Sequence, residues 1–257
     1  FENFIESNMQ QALDSQCFEM VLQPKMDLQT NSVIAAEALV RWRLEDGTYL
    51  PPSSFVDIFE KNRFCSKLDF YMLKKAIQQI RKWIDMGMEP VNISVNQSKI
   101  VFYHENYISE LKSLLEEYNV SGSYITLEVL ESTVIEDIDM FNSILTEVKK
   151  LGFSVSLDDF GSGYSSLNVL SKLQIDELKI DRIFLHTKSE VDNQRTKWIL
   201  ESIIDIAKKS QILVVVEGVE SKQDDLFIKG LGADVGQGYF YGRPLSISAF
   251  NDLIETK

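Results

Sequence analysis

The 257 residues are 44% hydrophobic and 25% charged, the balance of a folded globular chain and not of a disordered one. With 26 basic and 39 acidic residues the net charge is −13, which excludes the basic footprint of a partner for long DNA or RNA and leaves a small anionic ligand only where cations offset the acids. Two histidines and two cysteines exclude a three-histidine zinc site, a cysteine zinc site and a disulfide framework.

Phe4, Ile5, Met9 and Leu13 recur near helical spacing and predict a leading helix over residues 1–15. Residues 17–23 (CFEMVLQ) read as a strand closed by Pro24, and residues 33–40 (VIAAEALV) as its hairpin partner across a polar turn. Glu37 interrupts that apolar strand, and alternation sets it opposite the neighbouring alanines with Arg41 four residues on. This reads as a functional carboxylate, not as one facing solvent. After Pro51-Pro52, Ser53 or Ser54 is expected to cap a short helix through Lys61. Residues 68–86 form an amphipathic helix ended by Gly87.

A strand over 91–95 ends in Asn96, and a helix follows over 107–118. The strand 124–129 ends in Glu128 and Glu131, and the helix 137–151 stops at Gly152. Residues 153–157 alternate as a strand that runs into Asp158 and Asp159, then into a glycine-bearing loop over 161–165. A short helix over 167–173 leads to the strand 177–180, which carries Lys179 and is followed by Asp181. A helix over 196–209 precedes the apolar strand 212–216, ending in Glu217 and Glu220. A helix over 221–229, a short strand over 233–235 before Gln237, and a closing helix over 246–254 complete the chain.

Strand and helix thus alternate to about eight strands, without linker, repeat or low-complexity segment. A continuous apolar strand such as 212–216 needs both faces covered, as in a parallel sheet. The pattern fits a single (β/α)8-type barrel, with an open doubly wound sheet as the alternative. No apolar run reaches membrane-spanning length and no signal peptide is visible, so a cytoplasmic location is expected. Cys17 and Cys65 read as reduced, partly buried thiols, and His104 and His186 as surface residues. Because the sequence starts at Phe1, residues 1–16 read as a linker helix from an upstream domain, on one domain spanning 1–257.

Glu37, Asn96, Glu128, Asp158, Asp159, Lys179, Glu217 and Gln237 all fall at C-terminal strand ends. In a parallel barrel those ends meet on one rim, where barrel enzymes keep their sites. One acid at a strand end is ordinarily a helix cap; acids and amides at successive strand ends are not explained that way. Oxygen ligands without histidine favour hard cations, Mg²⁺ or Mn²⁺. Five carboxylates and an amide suffice for two ions, an arrangement that hydrolyses phosphodiesters. Lys179 suits a water or a phosphate, and Arg41 a phosphate fork. The glycines of 161–163 and 230–232 are not dinucleotide loops: the first follows two acids, and the second precedes its strand.

The ordered set Glu37-Ala38-Leu39, Val40-Arg41-Trp42, Val95-Asn96, Glu128-Val-Leu-Glu131, Asp158-Asp159-Phe160-Gly161, Lys179-Ile180-Asp181, Glu217-Gly218-Val219-Glu220 and Gln237-Gly238-Tyr239 resembles the EAL domain, a family of bacterial cyclic di-GMP phosphodiesterases. The resemblance runs from about Phe18 to Pro244. It implies a modified TIM barrel whose first strand is antiparallel, and an Mg²⁺- or Mn²⁺-dependent hydrolysis to linear pGpG that Ca²⁺ inhibits. It implies Glu37, Asn96, Glu128 and Asp158 as metal ligands, Asp158 as the bridge, Asp159 on the second metal with Glu217 in support, and Lys179 holding the nucleophilic water. Gln23, Arg41, Asp181 and Gln237 would contact the substrate, and Glu131 would anchor the loop 159–165, which couples the site to homodimerisation. Lys25 follows Gln23-Pro24 where an aliphatic residue is usual, a change expected at the pocket edge; Leu130 and Ser162 each replace a threonine. The expected upstream partner is a sensory or cyclase-like domain. The rival readings are a catalytically inactive cyclic di-GMP receptor and a dimerisation scaffold; the complete set of ligand types favours the enzyme.

Overall fold

The computed structural model describes residues 1–134, 138–161, 170, 172–185 and 190–255. Nine strands form one sheet: β1 (Phe18–Asp27), β2 (Val33–Arg43), β3 (Tyr49–Leu50), β4 (Asn92–Asn96), β5 (Ile125–Leu130), β6 (Ser154–Phe160), β7 (Glu177–Ile180), β8 (Leu213–Val216) and β9 (Val235–Gln237). The order is β1-β9-β8-β7-β6-β5-β4-β2, and a further β1–β2 pairing closes it into an eight-strand barrel with β3 hung on the edge of β2. β1 is antiparallel to both its neighbours, whereas the other barrel pairings are parallel. The open doubly wound sheet is therefore set aside.

β1 does not stop at Pro24 as the sequence led us to expect. Leu22 exchanges both backbone hydrogen bonds with Leu245, so its N–H faces away from β2. Two residues on, the nitrogen of Pro24 points the same way, to a flank where pairing with β9 starts only at Lys25. No ladder bond is lost there, and the strand runs on to Asp27. Nor do Ser53 and Ser54 cap a helix; they lie in a 3₁₀ turn, Pro52–Ser54, and the helix Val56–Lys61 begins behind Phe55 without a side-chain cap.

The long helix runs over Cys65–Asp85 and buries Leu68, Met72, Leu73, Ile77 and Ile80 against the barrel, before Gly87 at φ +74° turns the chain. The helix expected over 107–118 is found at Tyr107–Tyr118, and that expected from 196 starts earlier, at Glu190. The short helix expected over 167–173 lies largely outside the described residues. The helix Glu2–Asp14 buries Ile5 and Ala12, with Phe4 stacked on Trp42. His104 is exposed, Cys17 half-buried and Cys65 buried, both thiols free; His186 lies outside the described residues. Among the described residues no helix is long and apolar enough to cross a membrane.

The candidate metal centre

Period-two alternation sends every second side chain of a barrel strand inward. At the C-terminal ends of the parallel strands those side chains are Glu37, Asn96, Glu128, Asp158, Lys179, Glu217 and Gln237, and the structure brings all of them together. Lys179 is the hub. Its side chain is 1% exposed, and its Nζ lies 2.7 Å from Glu128, 2.9 Å from Glu217, 3.0 Å from Asp158 and 3.4 Å from Glu37. Asn96 Nδ2 donates to Glu37 Oε1 at 3.1 Å and Gln237 Nε2 to Glu37 Oε2 at 2.6 Å.

Asp159 joins them through a bulge. β6 and β7 pair Leu157 with Leu178 and then Phe160 with Ile180, so Asp158 and Asp159 together stand opposite Lys179. Asp159 takes φ +57°, a left-handed conformation that short polar side chains tolerate best. Carboxylate oxygens of Asp158, Asp159 and Glu217 consequently lie within 4.8 Å of one another.

The charges do not balance. Beneath this ring Lys25, fully buried, donates to Glu128 Oε1, Glu177 Oε1 and Ser94 Oγ at 2.8, 2.8 and 2.7 Å. Among the described residues, six carboxylates (Glu37, Glu128, Asp158, Asp159, Glu177 and Glu217) thus face two ammoniums. Burial pushes Glu217 up to about 8, with Lys179 offsetting only part of it, and likewise raises Glu37, Asp158 and Asp159. Glu128 is the exception: against the cost of burial, Lys179 and Lys25 hold it down to about 2. A largely buried cluster of oxygen donors whose carboxylates outnumber its ammoniums, open on the side of Asp159 and Glu217, fits one or more hard divalent cations.

Two hollows adjoin the ring. A polar cleft of about 250 Å³ is lined by Gln23, Asp181, Arg182, Gln237 and Tyr239 together with Glu37 and Glu217. The buried Gln237 Oε1 there accepts no hydrogen bond among the described residues, an acceptor left over for a ligand. A more apolar cavity of about 260 Å³ opens beside Asn96 and Glu128, lined by Leu39, Pro52, Phe59, Cys65 and Asp69. Arg41 is half-buried on β2, where burial lowers its pKa and its Nη1 donates to Val40 O at 2.8 Å. Glu131, buried, opens the short helix Glu131–Val134 directly after β5; residues 162–165 of the loop it was expected to anchor lie outside the described residues.

Sequence reasoning misplaced Lys25, which is not at a pocket edge. Because β1 is antiparallel, moving along it leads deeper into the barrel: Gln23 pairs with Glu37, and Lys25 with Ala35. Its face was legible, two residues beyond the inward Gln23. Glu177, two residues before Lys179, was missed because it stands at the start of β7 and not at its C-terminal end, where the site was sought. Asp69 was missed because it lies on a helix that only the closed fold brings to the rim.

The sequence model of the EAL domain matches residues 6–244. The chain is 33% identical over 250 residues to the cyclic di-GMP phosphodiesterase NbdA of Pseudomonas aeruginosa, covering 97% of this chain and 32% of that protein. It is 30% identical over 248 residues to the cyclic di-GMP phosphodiesterase PdeR of Escherichia coli, covering 96% and 37%. The chain therefore spans about a third of the length of these curated relatives. Among solved structures, that of the PaMucR phosphodiesterase in complex with c-di-GMP superposes with a TM-score of 0.88 at 32% identity, over 96% of this chain and 99% of that one. The EAL enzyme Bd1971 in its cAMP- and cyclic-di-GMP-bound form gives 0.89 at 28%, over 98% and 69%.

Proposed function

Since the chain belongs to the EAL domain family, we propose that it is a cyclic di-GMP phosphodiesterase, hydrolysing the cyclic dinucleotide to linear pGpG with the help of two Mg²⁺ or Mn²⁺ ions. The observation that carries this reading is the convergence of Glu37, Glu128, Asp158 and Glu217 on a single lysine, with Asp159 swung in beside them and too few cations to balance the set.

Glu37, Asn96, Glu128 and Asp158 would hold one ion, Asp158 would bridge, and Asp159 with Glu217 would hold the other. When bound, the ions neutralise phosphate charge and make hydroxide available at neutral pH. Lys179 orients the attacking water from the floor of the site, its ammonium fixed in place by the carboxylates around it. Arg41 forks onto a phosphate. Gln23, Asp181 and Gln237 line the polar cleft and hydrogen-bond the nucleotide, with Gln237 Oε1 as a ready acceptor. The apolar cavity suits a planar base, and Asp69 there can accept ring or amino N–H groups. Glu131 anchors the loop 159–165 and couples the site to a homodimer. Residues 1–257 form one domain, led by a linker helix over 1–16 from a sensory or cyclase-like domain, acting in the cytoplasm.

The test is hydrolysis of cyclic di-GMP by this chain with Mg²⁺, with Mn²⁺ and with excess Ca²⁺, read as pGpG formed. Turnover with the first two and inhibition by Ca²⁺ is the expected result. Tight binding of the dinucleotide without turnover in any metal would reassign the chain as a receptor.

A further inference from the structure

The ligand Glu128 is gripped at both oxygens. Lys179 donates to Oε2 at 2.7 Å from the site itself, while Lys25 donates to Oε1 at 2.8 Å from the layer below. Lys25 is in turn fixed by Ser94 Oγ and Glu177 Oε1, so all three ammonium protons have acceptors. Glu128 and Lys25 are fully buried, and no solvent competes for these bonds.

We infer that Lys25 is a positioning residue that restricts Glu128 to single-oxygen metal ligation and thereby biases the site toward Mg²⁺ and Mn²⁺ over Ca²⁺. The inference rests on the metal reading given above. Ca²⁺ takes six to eight oxygens and commonly uses both oxygens of a carboxylate, whereas the smaller ions favour six near-octahedral ligands. With Oε1 clamped from beneath, Glu128 presents only Oε2 to the rim. Lys25 and Glu177 form an oppositely charged pair, so removing both leaves the net charge of the site unchanged. What is lost is the grip on Oε1.

The test compares wild type, Glu177→Gln and the double variant Lys25→Met with Glu177→Met. Thermal melts report folding, and titration calorimetry reports the affinities for Mn²⁺ and for Ca²⁺ alone. Replacing Lys25 and Glu177 together avoids leaving either charge alone, but Glu128 Oε1 loses its buried donor, so the double variant is expected to fold with a lowered melting temperature. Loss of a partner that orients a metal ligand typically weakens the metal about 10–100-fold. That loss is expected for Mn²⁺ in the double variant, with a smaller loss for Ca²⁺, so that the Mn²⁺/Ca²⁺ preference falls about tenfold. Glu177→Gln, which keeps Lys25 on Glu128, is expected to retain the wild-type preference. A folded double variant with the wild-type preference overturns the inference, and so does an equal loss in Glu177→Gln. Wild type that binds no Mn²⁺ overturns the metal reading itself, a result distinguishable from either.

Discussion

Asp158 and Asp159 are neighbours in sequence, yet both face Lys179, because β6 carries one residue more than β7 between Leu157 and Phe160. In a regular strand one of the pair would point out of the barrel. The bulge with Asp159 at φ +57° is what converts two adjacent acids into one side of the acidic cluster with Glu217.

Asp159 therefore serves by its backbone and by its carboxylate, and two substitutions separate the roles. Asn tolerates the left-handed conformation, so Asp159→Asn should melt near wild type while losing turnover by at least about 100-fold. Asp159→Val should lose turnover and cost a further ~1–3 kcal/mol of stability, because a β-branched side chain is strained there. Equal melting temperatures for the two variants would contradict the strain.

Lys179 offsets three buried carboxylates and the half-buried Glu217, so removing it should unfold the rim before it affects anything else. Lys179→Met is expected to lose about 3–5 kcal/mol, the cost of leaving buried charge uncompensated. Mn²⁺ should recover part of that loss by supplying the missing positive charge. Denaturant melts with chelator and with Mn²⁺ measure both effects, and a variant indifferent to Mn²⁺ would count against the ligand set.

Glu37 and Arg41 stand four residues apart on β2 and should fail differently. Glu37→Ala removes a proposed ligand and should abolish turnover, while Arg41→Ala should mainly raise KM, by about 10-fold for a lost charge-assisted contact. Steady-state kinetics on both variants decides; wild-type activity in Glu37→Ala with Mg²⁺ would refute the metal assignment.

Asp69 gives a pH signature on the helix Cys65–Asp85, off the barrel strands. Desolvation lifts its carboxyl from 3.8 to about 7, although Ser98 N donates to it at 2.8 Å. Between about 4 and 7 the folded chain holds a proton that the unfolded chain has released, so rising pH erodes stability across that window and no further above it. Asp69→Asn keeps an acceptor for Ser98 and cannot ionise. Its stability relative to wild type should grow from pH 4 to 7, by up to ~1.4 kcal/mol per pH unit, then level off. Parallel curves for the two proteins would show that Asp69 does not titrate there.

Much of this was written in the chain itself. Strand–helix alternation, acids at strand ends and the near absence of histidine point to an α/β fold, barrel or doubly wound sheet, with oxygen donors at its C-terminal strand ends, because side-chain periodicity and ligand chemistry are local properties. Lys179, Glu37, Glu128 and Glu217 could be named from those properties alone. The direction of β1, the closure of the sheet and the bulge at Asp159 were not local. They depend on which strands pair and in what register, and only pairing tells whether Lys25 stands at the edge of the site or a layer beneath it. The sequence by itself thus determined which groups stand at the C-terminal strand ends; the tertiary structure alone added Lys25, Glu177 and Asp69 to them and decided which oxygen each lysine holds, because that is fixed by contacts between elements as far apart in the chain as Lys25 and Glu177.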